Sequence, residues 1–439
     1  MRDNCLFSRI TIVSPDEDHQ VSVIPEGWVA VVDGRIGYAG HSEIDARNCI
    51  RDIRHEKYEG KGKIMLPAMA NTHGHLAMTL LRNQADDRNL HDWLFNVIFP
   101  RETRLNGQNV YVGTQLALAE MIRTGTGAAA DMYFHHESVI KATLECGFRL
   151  NYCYDAKATC HDGKLSVDQK QLAAQISQCR QDPSDLLRVS LLVHSVYLYD
   201  ADMYPELAQT ASELNCPVQI HVSETSKEVE DCLLKYGCRP PRQLEKFGFF
   251  QTPTIAAHCV CLDDDDRAIL ARHQVVVAHN PSSNLKLGSG FADIQAMLAS
   301  GVSVSLGTDG AASNNNLDLY REMRLASLLA KGISGDASAV PAPVILDMAT
   351  RRGMSGLGFT RSGRIAAGWQ ADLQIIDHQS PSMTPLGDPV SALVYSADSN
   401  SVESLMVDGR WLMRKRELMT IDEEKMLHDA DREAIFLNQ

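Results

Sequence analysis

The sequence predicts an α/β protein, a (β/α)8 barrel of TIM type with a small β-sandwich domain formed by both termini. Three observations predict it. Apolar, β-rich runs of strand length alternate about eight times with stretches of helical periodicity. Several of these runs close on a His or Asp, the position at which a parallel barrel displays its chemistry. The chain has 439 residues, 44% of them hydrophobic, and is longer than a bare barrel requires, so a second, smaller domain is expected.

The strand-like runs lie near 64–72, 126–134, 148–156, 188–197, 217–223, 254–260, 274–279 and 302–308. Helical periodicity fills the gaps, as in Tyr111 to Arg123, with Leu116, Ala119, Met121 and Ile122, and in Leu317 to Lys331, with Leu319, Met323, Ala326 and Leu329. An open doubly wound sheet is the competing architecture. No Gly-x-Gly-x-x-Gly turn follows the first strands, and polar groups spread from the first run to the eighth would lie too far apart in an open sheet. The two ends read differently from the middle. Trp28 to Val32 leads into Asp33-Gly34-Arg35, and Leu405 to Val407 leads into Asp408-Gly409-Arg410. This repeated idiom predicts hairpins built into one small β-domain from residues 1–63 and 363–439, leaving 64–362 for the barrel. Gly332 to Pro343 reads as a loose loop, and Asp263 to Asp266 as an acidic helix start.

Composition bounds the partners. A net charge of -14 argues against a nucleic-acid backbone and fits a small neutral substrate. The apolar stretches fall well short of the roughly 20 residues a membrane span needs, and Met1 to Cys5 leads into a strand-like Leu6 to Val13 without the apolar core of a signal peptide. The 11 cysteines are odd in number and scattered, which suits reduced thiols and a cytoplasmic protein. Cys259 and Cys261 have zinc-compatible spacing beside His258, but strand alternation turns both away from it, so they read as buried thiols.

The polar groups that close the runs carry the chemistry. His73 and His75 follow Ile64 to Ala70 two residues apart, and i, i+2 residues of a strand share a face, so both imidazoles can grip one ion. His221 closes Cys216 to Ile220 with Glu224 three residues on, His258 closes Thr254 to Ala257, and Asp309 follows Val302 to Leu306. In a chain with 16 histidines one such residue is ordinarily structural. Four groups in the same relation to four separate strands are hard to ascribe to chance.

Longer segments carry a resemblance. Leu66-Pro67 to Leu81-Arg82, Trp93-Leu94-Phe95, Asp131 to His135, His194-Ser195, Ile220 to Glu228, Ala257 to Val260, His279 to Gly288, Gly307 to Asn315 and Glu322 to Leu328 together are similar to the amidohydrolase superfamily. Within it they resemble the mononuclear-zinc branch of adenosine-type and guanine deaminases and triazine hydrolases, and most of all the 5-methylthioadenosine/S-adenosylhomocysteine deaminases. The resemblance implies His73, His75, His221 and Asp309 as ligands of one zinc per subunit, with iron as the alternative metal. It implies Glu224 and His258 beside the attacking water. Binuclear relatives bridge two metals through a carboxylated Lys at the end of the fourth strand, where this chain has His194. The His-x-Glu and Pro-Cys-x-x-Cys signature of the cytidine-type zinc deaminases is absent.

The implied reaction replaces an aromatic amino group by a carbonyl. Three neutral imidazoles and one carboxylate leave zinc enough charge to bring a bound water to a pKa of about 7. Glu224 then protonates the ring nitrogen, Asp309 accepts the water's proton and passes it towards the departing ammonia, and His258 steadies the tetrahedral intermediate. By the same resemblance Glu102 binds the ribose hydroxyls and His194 touches the purine; Trp93 reads as a wall for the 5'-substituent, with a core Trp as the competing reading. Family members that take S-adenosylhomocysteine resemble one another in arginines just after the third strand, suited to a carboxylate. The matching segment here, Tyr152 to Lys164, has none, and only Lys157 and Lys164 offer a charge. 5'-Methylthioadenosine or adenosine is therefore the favoured substrate. Other aminated heterocycles, namely guanine, an oxidised purine or a triazine, and a catalytically silent binding or scaffold relative are the competing readings. A homo-oligomer is expected by analogy.

Overall fold

The computed structural model describes residues 2–16, 20–84, 86–159 and 165–438. Eight parallel strands form the central sheet: β1 (Met69–Asn71), β2 (Thr126–Asp131), β3 (Arg149–Tyr154), β4 (Leu187–Leu192), β5 (Val218–Val222), β6 (Thr254–His258), β7 (Val276–His279) and β8 (Ser303–Leu306), each paired with the next from β1 to β8. The strands are buried on both faces, which is why they read as continuous apolar runs rather than alternating ones. Backbone and side-chain hydrogen bonds close the ring between β8 and β1. Thr72 donates its backbone N–H and its hydroxyl to the Leu306 carbonyl at 3.0 and 2.8 Å, and Asn71 and Thr308 exchange hydrogen bonds at 2.7 and 2.9 Å. The Asp309 N–H donates to the His73 carbonyl at 3.0 Å, so the seam itself joins two of the residues singled out from sequence.

The run at 64–72 does not form one strand. Lys63–Pro67 pairs with the terminal strands, antiparallel to Leu373–Asp377 and parallel to Cys5–Pro15, and only Met69–Asn71 enters the barrel. Pro67, which has no N–H to continue a ladder, sits at the division. The remaining strands of both termini complete a single nine-stranded sheet. It folds over its own core, in which Phe7, Ile12 and Val31 from one end meet Ile375, Met406 and Trp411 from the other. The two Asp-Gly-Arg turns touch: Gly34 and Gly409 both have positive φ, and a Cβ on Gly409 would lie 2.5 Å from Gly34 Cα.

The last helix, Glu423–Asn438, packs on the barrel helix Gly107–Arg123, where Asn109 donates to Glu433 at 2.6 Å. The acidic start at 263–266 is a helix N-terminus, with Asp263 capping Asp264–Arg272 through a reciprocal bond to Asp266. The stretch expected to be a loose loop is shorter than 332–343, since the preceding helix runs to Ser334 and the next begins at Ala342. Among the described residues no helix is long and apolar enough to cross a membrane.

Candidate active site

The mouth of the barrel holds a cavity with His75, His194, His221, Glu224, His258 and Asp309 at its polar end. Each arrives from the carboxyl end of a strand or the residues just beyond it. His73 and His75 follow β1, His194 follows β4, His221 lies within β5, His258 ends β6 and Asp309 follows β8. His258 and Asp309 have φ of 72° and 63°, and Ser223, before Glu224, has φ of 49°. Left-handed backbone costs a non-glycine residue of order 1–3 kcal/mol and persists only where the surroundings impose it.

The imidazoles converge. The His73 ring centroid lies 5.0 Å from His75, 4.8 Å from His221 and 5.2 Å from His258. Ligand-capable atoms of His73, His75 and His221 all lie within 4.8 Å of one another, and so do those of His73, His258 and Asp309. Asp309 Oδ1 is 3.4 Å from His73 Nε2 and 3.3 Å from His75 Nε2. Outer contacts set the free nitrogens. His75 Nδ1–H donates to the Met132 carbonyl and His221 Nδ1–H to the His194 carbonyl, each at 2.6 Å, so that in the neutral form of either ring Nε2 is the lone pair. His258 Nδ1 is held at 2.8 Å by the Asn284 side-chain oxygen. Asp309 Oδ2 accepts from Ser283 and Ser313 at 2.6 and 2.8 Å, and the Gly310 N–H donates to Oδ1 at 2.8 Å.

The electrostatics ask for a cation. Burial pushes His73 down to about 4. Burial works against a charge on His75 as well, but the Asp309 carboxylate outweighs it and raises this group to about 9. Asp309 itself is held well below the usual carboxylate range: burial opposes its charge, and His73 and His75 outweigh that opposition. One positive charge is therefore favoured between Asp309 and the rings, and a divalent ion supplies it without a proton. Buried His73 Nε2 has no hydrogen-bond partner, a position a metal ligand fills. The donor set of imidazoles and one carboxylate fits a divalent metal.

Glu224 lies across from His258, with 3.8 Å between Oε2 and Nε2, and Ser289 donates to its Oε1 at 3.4 Å. Burial raises its proton affinity above that of an ordinary Glu. Glu102 ends the short helix Phe99–Glu102 and lines the same cavity. Its carboxyl too is raised by burial, with Tyr133 as the neighbour that favours its charge. Trp93 forms part of the wall with Leu90, Leu94 and Phe99, and a single π-helical turn, Leu94–Ile98, links these residues. Such turns recur where a helix is bent to serve a site. The His194 ring stands 4.6 Å from that of His221, pushed by burial down to about 3, and its Nδ1 is unpartnered. Cys259 is buried and Cys261 half-buried, and neither joins the metal-capable groups.

Among the described residues, the segment without arginines contributes none of the cavity's lining. Lys157 pairs with Asp155 at 3.0 Å and lies over the Tyr199 ring, Tyr154 packs its ring on His136, and Lys164 lies outside the described residues. Among the described residues no Arg or Lys lines the cavity. Ser283, Ser313, Ser289 and Asn284 were not singled out by sequence reasoning. Ser283, Asn284 and Ser313 stand inside the segments that carry the family resemblance and Ser289 one residue beyond them, but only the fold shows which atom each one meets.

Comparisons with known proteins give the chain's family. The model of the amidohydrolase family matches residues 64–412. Over 407 residues the chain is 42% identical to the 5-methylthioadenosine/S-adenosylhomocysteine deaminase of Acetivibrio thermocellus, covering 92% of this chain and 93% of that one. It is 41% identical over 410 residues to the 5'-deoxyadenosine deaminase of Methanothermobacter thermautotrophicus, covering 93% and 94%. A crystal structure of an adenosine deaminase from Xanthomonas campestris with bound zinc superimposes with a TM-score of 0.91 over 99% of both chains, at 31% identity. With four-fifths of its length matched by the family model and its polar groups gathered at the barrel mouth, the chain belongs to the amidohydrolase family.

Proposed function

We propose that this protein is a zinc-dependent hydrolytic deaminase of adenosine-type nucleosides, converting the 6-amino group of 5'-methylthioadenosine or adenosine to the inosine product with release of ammonia. The observation that carries the reading is one cavity with His75, His221, Asp309, Glu224 and His258 at one end and Glu102 and Trp93 on its wall. In this reading His73, His75, His221 and Asp309 hold the ion. Zinc bound there would supply a hydroxide nucleophile at neutral pH.

The chain's own residues do the rest. Glu224, whose burial favours the protonated carboxyl, gives its proton to the purine ring nitrogen beside the attacked carbon. His258, anchored through Nδ1, turns Nε2 to the attacking oxygen. Asp309 receives the proton lost by the water and passes it to the leaving ammonia, and the hydroxyl proton released as the carbonyl forms returns to Glu224, so water and amine become carbonyl and ammonia and both carboxyls end as they began. Glu102 grips the ribose diol, and His194, kept neutral by burial, meets the base.

The 5'-end is read from the wall. Leu90, Trp93, Leu94 and Phe99 suit a methylthio or similarly small apolar group, and the cation a homocysteine carboxylate would need is not among the described lining residues. The similarity to a relative named 5'-deoxyadenosine deaminase supports a small 5'-group. Free thiols, ten among the described residues, support a cytoplasmic setting, and a homo-oligomer is proposed by analogy. The test is a steady-state comparison of adenosine, 5'-methylthioadenosine and S-adenosylhomocysteine by the absorbance lost on conversion to inosine. The first two should have the higher kcat/KM. Activity on free guanine or a triazine without activity on ribosides would overturn the nucleoside reading.

A further inference from the structure

Glu228 is an acid in the first turn of the helix Ser226–Tyr236, where an exposed carboxylate ordinarily faces solvent and the helix dipole. Here it is only 6% exposed and turns back past the start of its own helix. One carboxylate oxygen accepts the Ser223 N–H and the other the Glu224 N–H, each at 2.8 Å. Its own N–H is taken by the capping hydroxyl of Thr225 at 3.2 Å, which fixes where the side chain starts. The Ser223 carbonyl is held from the other side by the Cys261 N–H at 2.9 Å. The residue between these anchors, Ser223, has φ of 49°, a conformation a non-glycine residue leaves when it is free to do so.

We infer that Glu228 is the positioning residue for Glu224: its two oxygens hold the strand-to-helix turn in the left-handed shape that carries the Glu224 carboxyl into the cavity. A turn of the Ser223 backbone towards ordinary φ would swing everything that follows it, and Glu224 is the next residue. Burial pushes the Glu228 carboxyl up to about 8, and the two amide contacts oppose that push. The clamp thus keeps a desolvated carboxyl in place through backbone donors alone, with no Lys or Arg among the groups that shift it. The inference rests on the reading of Glu224 as proton donor.

The test is a mutant cycle on the metal-loaded enzyme. Glu228→Gln keeps the shape but replaces one acceptor by a donor, and Glu228→Asp keeps the carboxyl but is one methylene short of both N–H groups. Each should lower kcat by about 10- to 100-fold, the cost of misplacing a reacting group by about 1 Å. Bound metal should stay at one per chain and KM for 5'-methylthioadenosine should hold, because neither depends on where Glu224 points. In the Glu224→Gln background neither change should lower kcat further, since the group they aim is gone. Wild-type kcat in both single variants, losses that multiply in the double variants, or loss of metal along with kcat would each overturn the inference. Near wild-type kcat in Glu224→Gln would overturn the proton-donor reading and the inference with it. An active Glu228→Gln beside an inactive Glu224→Gln would overturn the inference alone.

Discussion

At the base of the barrel Arg149, 1% exposed, donates from all three of its nitrogens: Nε and Nη2 to Asp372 at 2.8 and 3.1 Å, and Nη1 to the Asp185 carbonyl at 3.0 Å. At the mouth His73 is buried to the same degree, and its Nε2 has no hydrogen-bond partner. Both are polar groups taken out of water, and the cost of doing so is similar in kind. The base settles that cost within the protein, riveting β3 to the terminal sheet, where Ser362 and the Asp408 N–H also serve Asp372. In the reading proposed above, the mouth leaves it open as a valence for an ion. The difference separates residues that hold the fold from residues that hold a ligand, and it predicts that mutations at the two ends fail in different assays.

The largest effect is expected at the mouth. Replacing His73, His75, His221 or Asp309 by Ala should abolish turnover and tight zinc binding together, because each loss opens the coordination shell. Metal analysis of the purified variants alongside ammonia release checks this. Full metal content with normal rates in any one of them would break the comparison at its stronger end. The base should fail the other way. Arg149→Ala strands the Asp372 carboxylate in a buried site and should cost about 3–5 kcal/mol of stability, read as a lowered urea midpoint, with kcat of the folded enzyme unchanged. A large kcat loss at full stability would show that the base reaches the chemistry.

Glu224→Gln sharpens the line within the mouth itself. It should keep the metal yet lose about 100-fold or more in kcat, the scale of general acid catalysis, because an amide has no acidic proton to give. A variant with both metal and turnover intact would move the proton donor elsewhere.

How much of this is legible in the sequence follows the same division. The convergence of His73, His75, His221, His258 and Asp309 can be read because each closes or follows a strand, and a parallel barrel brings all its strand ends to one rim. The partners of those residues cannot be read so. Ser283 and Asn284 reach Asp309 and His258 from 26 residues away, on the short helix Pro281–Lys286, whose direction no periodicity records. Glu228 reads as an ordinary helix-start acid until the strand-to-helix turn is seen folded back on it. The run at 64–72 reads as one strand because apolar periodicity does not register which sheet a strand joins, and Pro67 is its only mark of division. Glu102 sits between two arginines in sequence, the setting of a solvated charge, yet it lines the cavity because the helix carrying it folds over the mouth.

Glu102 is therefore where the comparison is most finely tested, since it holds neither fold nor metal. Its carboxyl is desolvated in the free enzyme, so part of the gain on binding a diol is the satisfaction of an acid already kept from water. A vicinal diol offers two O–H donors to one carboxylate, and charged hydrogen bonds of this kind contribute about 1.5–3 kcal/mol. Glu102→Ala should then lower kcat/KM for adenosine and 5'-methylthioadenosine by about 10- to 100-fold, the equivalent of that energy. A 2',3'-dideoxy analogue never makes the contact and should be affected far less, because the mutation removes nothing it used. Steady-state rates of the two substrate types on the two enzymes form the test. Equal losses on diol and dideoxy substrates would show that Glu102 supports the wall of the cavity rather than the ribose, and would leave the apolar side chains around Trp93 as the part of the site that selects the nucleoside.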